Sequence, residues 1–173
     1  MIIDSQSAQI FINGYSKLLA EVHRLSNGKA GMPLLEMLAD AREVIVASPQ
    51  TIESAMLSLD QKESSVPPEI ISAIKSLQLK QWVYLRDTTR YSVFLEPSGK
   101  DAYAVLGLTN RVRDLLGGSG VSFKTGVVEF AGHFVCDGIA SNPVWLGANY
   151  RKDFSANLAI LKKEGRFHVS PER

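Results

Sequence analysis

Residues 68–86 read PEIISAIKSLQLKQWVYLR, and the spacing of the apolar residues changes within this stretch. Up to Leu77 the apolar residues recur every three or four positions, which is the period of a helix with one buried face. From Leu79 they alternate as in a strand, with one set opposite the other: Leu79, Val83 and Leu85 against Trp82 and Tyr84. The change predicts a helical region over residues 1–78 and a β-rich module over residues 79–173.

The first region predicts a layer of about four helices, each with an apolar stripe on one face. The first helix is expected at residues 5–26. The other three are expected to begin at Pro33, at Ser48-Pro49 and at Pro67-Pro68. Asn27-Gly28 predicts the end of the first helix, because both residue types accept a left-handed backbone. The end of the second helix has an alternative, since Val44-Ile45-Val46 also suits a short strand.

The second region predicts five or six strands and two helices. The strands are expected at about 79–86, 90–96, 101–108, 121–130 and 133–140, with 144–146 as the sixth. A short inserted helix is expected at about 110–116, and a C-terminal helix at about 149–164 packs against the sheet. Because the connections between strands are short, antiparallel pairing is favoured and the fold class is α+β.

The domain organisation has two alternatives. The polar stretch Asp60–Val66 is a candidate boundary between a helical region, 1–78, and an antiparallel β-rich α+β module, 79–173. One integrated domain is equally compatible with the sequence, because about 78 helical residues make only a marginal core by themselves.

The composition disfavours several classes of protein. A net charge of +1 is unlike that of a dedicated nucleic-acid binder, which normally has a strong basic excess. Residues 79–173 nevertheless hold 13 basic and 9 acidic residues, so this half favours an anionic small molecule or an acidic protein partner. Cys136 is the single cysteine, which excludes an internal disulfide. No apolar run approaches about 20 residues, so we expect a cytoplasmic protein without a membrane segment.

Two apparent motifs predict no chemistry. Gly117-Gly118-Ser119-Gly120 lacks the Lys-Ser or Lys-Thr and the following helix of a phosphate loop, so these glycines are interpreted as a helix stop and a turn. His133 and Cys136 are three positions apart in a strand and therefore point to opposite faces. Cys136 is expected in the core, and no metal site or cofactor is predicted.

Asp137 is a candidate site residue because it shares a strand face with apolar neighbours. A tight hairpin at Ala131-Gly132 places Gly126 opposite Asp137, so the carboxylate could line a small pocket. A buried carboxylate needs a partner, and Lys124 or an arginine could supply it. The alternative is a structural salt bridge or a position at the sheet edge.

The arginines around the third strand form the leading candidate site. Thr109 or Asn110 can cap the inserted helix, but Arg111 and Arg113 then occupy its first turn, where the helix dipole disfavours positive charge. Such a pair predicts an anion site, with solvated arginines balanced by Asp114 as the alternative.

A second pair of arginines, Arg86 and Arg90, flanks the Asp87-Thr88-Thr89 connection between two predicted strands. Threonine is a poor residue for a two-residue hairpin turn, so this loop is expected to be wider or shaped by a ligand. Surface charge around a loop is the alternative interpretation.

These observations predict a non-catalytic binding or regulatory protein that holds an anionic ligand or acidic partner near Arg111 and Arg113. One alternative is an enzyme with a pocket around Asp137, assisted by His133 or an arginine. Another is a homodimeric scaffold joined through the first helix, whose stripe has coiled-coil spacing. That stripe comprises Phe11, Tyr15, Leu18, Val22 and Leu25.

Overall fold

The computed structural model describes residues 1–26, 28–29 and 31–171, and these residues form six helices and seven strands. The helices are α1 Ser5–Leu25, α2 Leu34–Ala47, α3 Thr51–Gln61, α4 Pro68–Lys75, α5 Val112–Leu116 and α6 Ala148–Lys163. The strands are β1 Gln78–Asp87, β2 Ser92–Leu95, β3 Ala102–Leu106, β4 Val121–Phe130, β5 His133–Cys136, β6 Ser141–Trp145 and β7 Phe167–His168. Asn27, part of the predicted stop of α1, lies outside the described residues.

The α+β class is confirmed, and the change of hydrophobic period falls at the junction of α4 and β1. Several boundaries differ from the prediction; β6, for example, begins at Ser141 rather than at Val144. Val44-Ile45-Val46 continues α2, so the strand alternative there is wrong. β5 ends at Cys136 rather than at Ala140, because Gly138 has a φ of +79°, which interrupts an extended strand.

The sheet is mixed, whereas the sequence predicted antiparallel pairing throughout. β3 runs parallel to β5 and to β7, and the other pairings are antiparallel. Short connections predict antiparallel partners only for strands that follow each other in the chain. α5 and β4 separate β3 from β5, and the connection is long enough for a parallel pairing. β7, a strand of two residues, was not predicted.

Five strands close into a barrel. β1 pairs with both β2 and β4, β2 pairs with β3, β3 with β5, and β5 with β4, which completes the circle. β6 extends the sheet from β4, and β7 lies beside β3. Alternate residues of the barrel strands therefore point inward. Trp82 and Tyr84 are buried inside the barrel, whereas Val83 and Leu85 point outward and are buried in a separate cluster.

Aromatic side chains fill the barrel. Ring centroids lie 6.2 Å apart for Trp82 and Phe94, and 5.7 Å apart for Phe94 and Phe123. Val112 from α5 packs into the same cluster, so this short helix contributes to the barrel core. On the outer face of β1 and β2, Leu158 of α6 packs in a separate cluster that also includes Ala102 at the start of β3.

The helical layer covers the outer face of β4 and β5. Phe11 of α1 is fully buried, with its ring centroid 4.7 Å from that of Tyr15 and 5.1 Å from that of Phe130. Residues of α1 to α4 and of the barrel thus share one apolar cluster. The chain start adds a backbone connection, because the Ile3 N–H donates to the Gly107 carbonyl at 3.1 Å.

The α1 stripe is used inside the molecule. Four of its residues are at most 2% exposed: Phe11, Tyr15, Leu18 and Val22. This face of α1 is therefore not available to a second copy, so a homodimer would need another surface. No helix in the described part of the chain combines the length and apolarity needed to cross a bilayer.

We expect Phe11→Ala to lower the free energy of unfolding by about 3–5 kcal/mol, because it removes a ring at the junction of the helical layer and the barrel. Urea unfolding followed by circular dichroism measures this. Leu57→Ala is the control, since Leu57 is 66% exposed and its loss should change stability by about 0.5 kcal/mol or less. Equal effects of the two variants would contradict the shared core.

Glu21 connects α1 to α3 and predicts a pH dependence. Its carboxylate accepts hydrogen bonds from Arg24 at 2.6 Å and from Lys62 at 2.8 Å. The bond from Arg24 is the main cause that lowers the pKa of Glu21 from 4.5 to about 2.

A lowered folded-state pKa contributes stability above the unfolded-state value, and this contribution is lost as the pH falls from 4.5 towards 2. We therefore expect Glu21→Gln to reduce stability at pH 7 and to flatten its decline over that acid range. Thermal unfolding at a series of pH values measures this. A decline as steep as that of the wild type would contradict the role of Glu21.

Candidate functional site

Asp137 follows β5 directly, and its carboxylate is completely buried in an ion pair with Arg42 of α2. The Arg42 Nη1 lies 2.7 Å from Oδ2, and the two side chains are 1% and 0% exposed. The same oxygen accepts a hydrogen bond from the Tyr15 hydroxyl of α1 at 3.1 Å. Two helices of the helical layer are thereby joined to one carboxylate at the end of a barrel strand.

The other oxygen of Asp137 binds the barrel itself. Oδ1 accepts hydrogen bonds from the Thr125 hydroxyl at 3.1 Å, the Ile139 N–H at 3.1 Å and the Gly126 N–H at 3.3 Å. Five donors therefore occupy the roughly four acceptor positions of a carboxylate. This saturation leaves Asp137 without a free acceptor for a general base.

Gly126 lies opposite Asp137, as the hairpin register predicted, and the contact requires a glycine. A Cβ atom on Gly126 would collide with the Asp137 carboxylate and would lie 2.6 Å from Cδ1 of Leu77. The partner of Asp137 is Arg42 rather than Lys124, which pairs with Glu43 instead. His133 is exposed beside the hairpin turn and takes no part.

The neighbouring protic groups are held neutral. Burial raises the pKa of Tyr15 well above 10, and the Asp137 charge raises it further, so Tyr15 acts as a donor. Burial also raises the pKa of the Cys136 thiol to about 11, with the Asp137 charge as a smaller cause. Cys136 is thus a core residue whose thiol is a poor nucleophile at neutral pH.

An apolar cavity of about 290 Å³ lies beside this ion pair, between α1, the start of α2 and the segments 107–115 and 136–139. We call it the leucine pocket. Three leucines on its lining are substantially exposed: Leu34 at 62%, Leu35 at 64% and Leu115 at 42%. Asp137, Thr109 and Asn110 are among the few polar residues on its lining. A mostly apolar concavity with a few polar groups is typical of a small-molecule site.

The structure brings three of the predicted site residues together and leaves four apart from them. Thr109, Asn110 and Asp137 border the leucine pocket. The four predicted arginines are exposed and are not part of the pocket lining: Arg86, Arg90, Arg111 and Arg113. Arg90 borders another cavity, of about 230 Å³, together with His133.

The predicted cap of the inserted helix is displaced by one or two residues. α5 begins at Val112, so Arg111 is its N-cap and makes no side-chain capping bond there. The chain turns sharply before the helix. As a result, the Asn110 carbonyl oxygen lies where a Cβ atom on Gly107 would be. Thr109 and Asn110 therefore lie in the turn at the pocket, and the prediction that either caps the helix is wrong.

The loop between Arg86 and Arg90 owes its shape to its own side chains. Thr88 Oγ1 accepts hydrogen bonds from the Tyr91 N–H at 3.0 Å and from the Arg90 N–H at 3.2 Å. Asp87 Oδ1 accepts from Ser92 at 2.7 Å and from the Tyr84 hydroxyl at 2.8 Å. The wider loop is thus explained without the ligand that the sequence interpretation offered.

Arg42 and the leucine pocket were missed by the sequence analysis. Arg42 sits within the apolar stripe of α2, next to Ala41 and between Leu38 and Ile45. A lone charged residue in such a stripe was the available signal for a buried ion pair. Among the described residues, no three His, Cys, Asp or Glu side chains are grouped so that they could hold a metal ion.

No protein family model, no curated protein and no solved structure matches this chain. The closed five-stranded barrel resembles the OB-fold, in which the outer face of the second and third strands binds oligonucleotides. Here Leu158 and Leu161 of α6 pack on β1, β2 and the start of β3. The likeness therefore concerns architecture alone, because a fold by itself does not specify a function.

We expect Asp137→Asn to lower the free energy of unfolding by about 3–5 kcal/mol, because it leaves the Arg42 guanidinium buried without a counter-charge. Chemical denaturation measures this. Asp101→Asn is the matched control, since Asp101 pairs with Arg166, which is 42% exposed, and an exposed pair contributes about 1 kcal/mol or less. Equal losses in the free energy of unfolding for the two variants would contradict a larger contribution from the buried pair than from the exposed one.

Proposed function

We propose that this chain is a non-catalytic binding protein for a small amphipathic anion. The apolar part of the ligand occupies the leucine pocket, and its charged group lies outside, near Arg111 and Arg113. The observation that carries the proposal is a cavity of about 290 Å³ with an apolar lining and exposed leucines, next to the exposed Arg111 that precedes α5 and the exposed Arg113 within it.

The pocket supports an apolar ligand of modest size. A volume of about 290 Å³ corresponds to roughly ten water-sized groups, which suits an acyl chain of about ten carbons. Leu34 and Leu35 at the start of α2 remain more than 60% exposed, and burying them under a ligand would be favourable at about 25 cal/mol per Å².

The charges around the pocket support an anion. Arg42 compensates the negative charge of Asp137 at 2.7 Å, and the Asp137 side chain is 0% exposed, so this residue does not make the pocket anionic. Arg111 directly follows Asn110 of the lining and is exposed, as is Arg113. An anionic group at the mouth of the pocket would therefore meet positive charge.

The state of Asp137 and Cys136 on the described lining favours binding over catalysis by these two residues. The oxygens of Asp137 already accept five hydrogen bonds within the described residues, and the pKa of the Cys136 thiol is raised to about 11. The alternative of an enzyme built on Asp137 would require this saturated carboxylate to exchange a structural partner for a substrate.

The test uses decanoate and the uncharged decanol as probes, with isothermal titration calorimetry. We expect Arg111→Ala with Arg113→Ala to weaken decanoate binding between about two- and thirtyfold, since each exposed ion pair contributes about 0.2–1 kcal/mol. Decanol binding should be unchanged by this double substitution. Decanoate affinity unchanged in the double variant, or no binding of either probe, would overturn the proposal.

The leucine pocket is tested separately. We expect Leu35→Ser to weaken the binding of both decanoate and decanol, because it removes apolar surface from the lining. Leu57→Ser is the matched control, since Leu57 is an equally exposed leucine of α3 that is not on the lining. Equal losses in the two variants would show that the probes do not occupy the pocket.

A further inference from the structure

The loop Gly117–Gly120 supports an exposed tryptophan. A Cβ atom on Gly118 would lie 2.9 Å from both Cη2 and Cζ3 of Trp145, so the six-membered ring of the indole packs directly on this glycine. Trp145 ends β6 and is nevertheless 58% exposed. The loop thus contacts one side of the indole, while most of the Trp145 surface is exposed to solvent.

The same loop also supports an arginine. A Cβ atom on Gly120 would lie 2.5 Å from Cδ and 3.2 Å from Cγ of Arg151, so the aliphatic part of that side chain packs on Gly120. Gly118 and Gly120 are two residues apart, so their Cα atoms are separated by at most about 7 Å. Trp145 and Arg151 are therefore neighbours on one surface.

The loop is anchored on both sides, which keeps this surface in place. The Gly120 N–H donates to the Tyr84 carbonyl at 3.1 Å, and its carbonyl accepts from the Leu146 N–H at 2.8 Å. The Gly118 N–H donates to the Arg113 carbonyl at 3.1 Å. These bonds connect the loop to β1, to the end of β6 and to α5.

The chain segments that adjoin the loop through Arg113 and Arg151 contain more basic than acidic residues. Residues 111–114 and 151–153 together contain four basic and two acidic residues: Arg111, Arg113, Arg151 and Lys152 against Asp114 and Asp153. An indole binds planar rings by stacking, and an arginine binds phosphate through two parallel hydrogen bonds. A ligand that satisfies both residues carries an aromatic ring and an anionic group a few ångströms apart.

We propose that Trp145 and Arg151 form a nucleotide-binding site, in which the base stacks on the indole and the phosphate pairs with the guanidinium. In this site the glycines of the loop are the surface on which the Trp145 and Arg151 side chains pack. The loop does not act as a phosphate loop, which would bind phosphate through its backbone N–H groups. This site is separate from the leucine pocket and does not rest on the function proposed for it.

The test titrates the protein with AMP, adenosine and inorganic phosphate. Trp145 gives a local signal, because the other tryptophan, Trp82, is fully buried in the barrel. We expect AMP and adenosine to quench the exposed tryptophan and phosphate to leave it unchanged. AMP should bind more tightly than adenosine.

Substitutions then separate the two contacts, with affinities measured by calorimetry. We expect Trp145→Ala to lower the affinity for AMP by between about 5- and 150-fold, which is the usual contribution of one base–aromatic stack. Arg151→Ala should reduce AMP affinity to that of adenosine and leave adenosine unchanged. Val144→Ala and Lys162→Ala are the controls, since Val144 is an equally exposed neighbour in β6 and Lys162 lies at the other end of α6.

Three results would overturn the proposal. The first is no AMP binding at millimolar concentration by the wild-type protein. The second is equal AMP affinity of Trp145→Ala and Val144→Ala. The third is a change of the Trp145 emission with protein concentration alone, which would assign this surface to a second copy of the chain. Amide spectra matching those of the wild type show that each variant is folded.

Discussion

The buried ion pair of Arg42 and Asp137 is the constraint on which the arrangement of the two layers depends. Two charges removed from water are stabilised when they compensate each other and when hydrogen bonds satisfy their remaining polar groups. Asp137 is satisfied by hydrogen bonds from α1, α2, β4 and the chain after β5. Arg42 bonds through Nη1, and its Nε is buried without a hydrogen-bond partner among the described residues. Apolar packing in the shared cluster joins the two layers, and this pair adds directional contacts between α1, α2 and the barrel.

The leucine pocket lies next to the same constraint. Arg42 of α2 and Tyr15 of α1 are both bound to Asp137, and the pocket lies between α1, the start of α2 and the turn at Asn110. α5 lies between the two proposed sites, with the leucine pocket at its start and the Trp145 surface beyond its end.

The sequence predicted the local features of the fold and only one side of the candidate site. The change of period at Leu79 and the position of Gly126 opposite Asp137 depend on neighbours in the chain, so spacing alone revealed them. Arg42 lies 95 positions from Asp137, and no local pattern connects them. The parallel pairing of β3 with β5 was missed for the same reason, since it follows from barrel closure and not from any connection.

A double-mutant cycle on Arg42→Met and Asp137→Leu tests this account most directly, with the free energy of unfolding measured in urea. Each single substitution leaves an uncompensated buried charge, whereas the double variant replaces the pair by apolar side chains of similar volume. We predict that the double variant is more stable than either single variant, which is a strong coupling. Additive losses would contradict the claim that this pair holds the helical layer on the barrel.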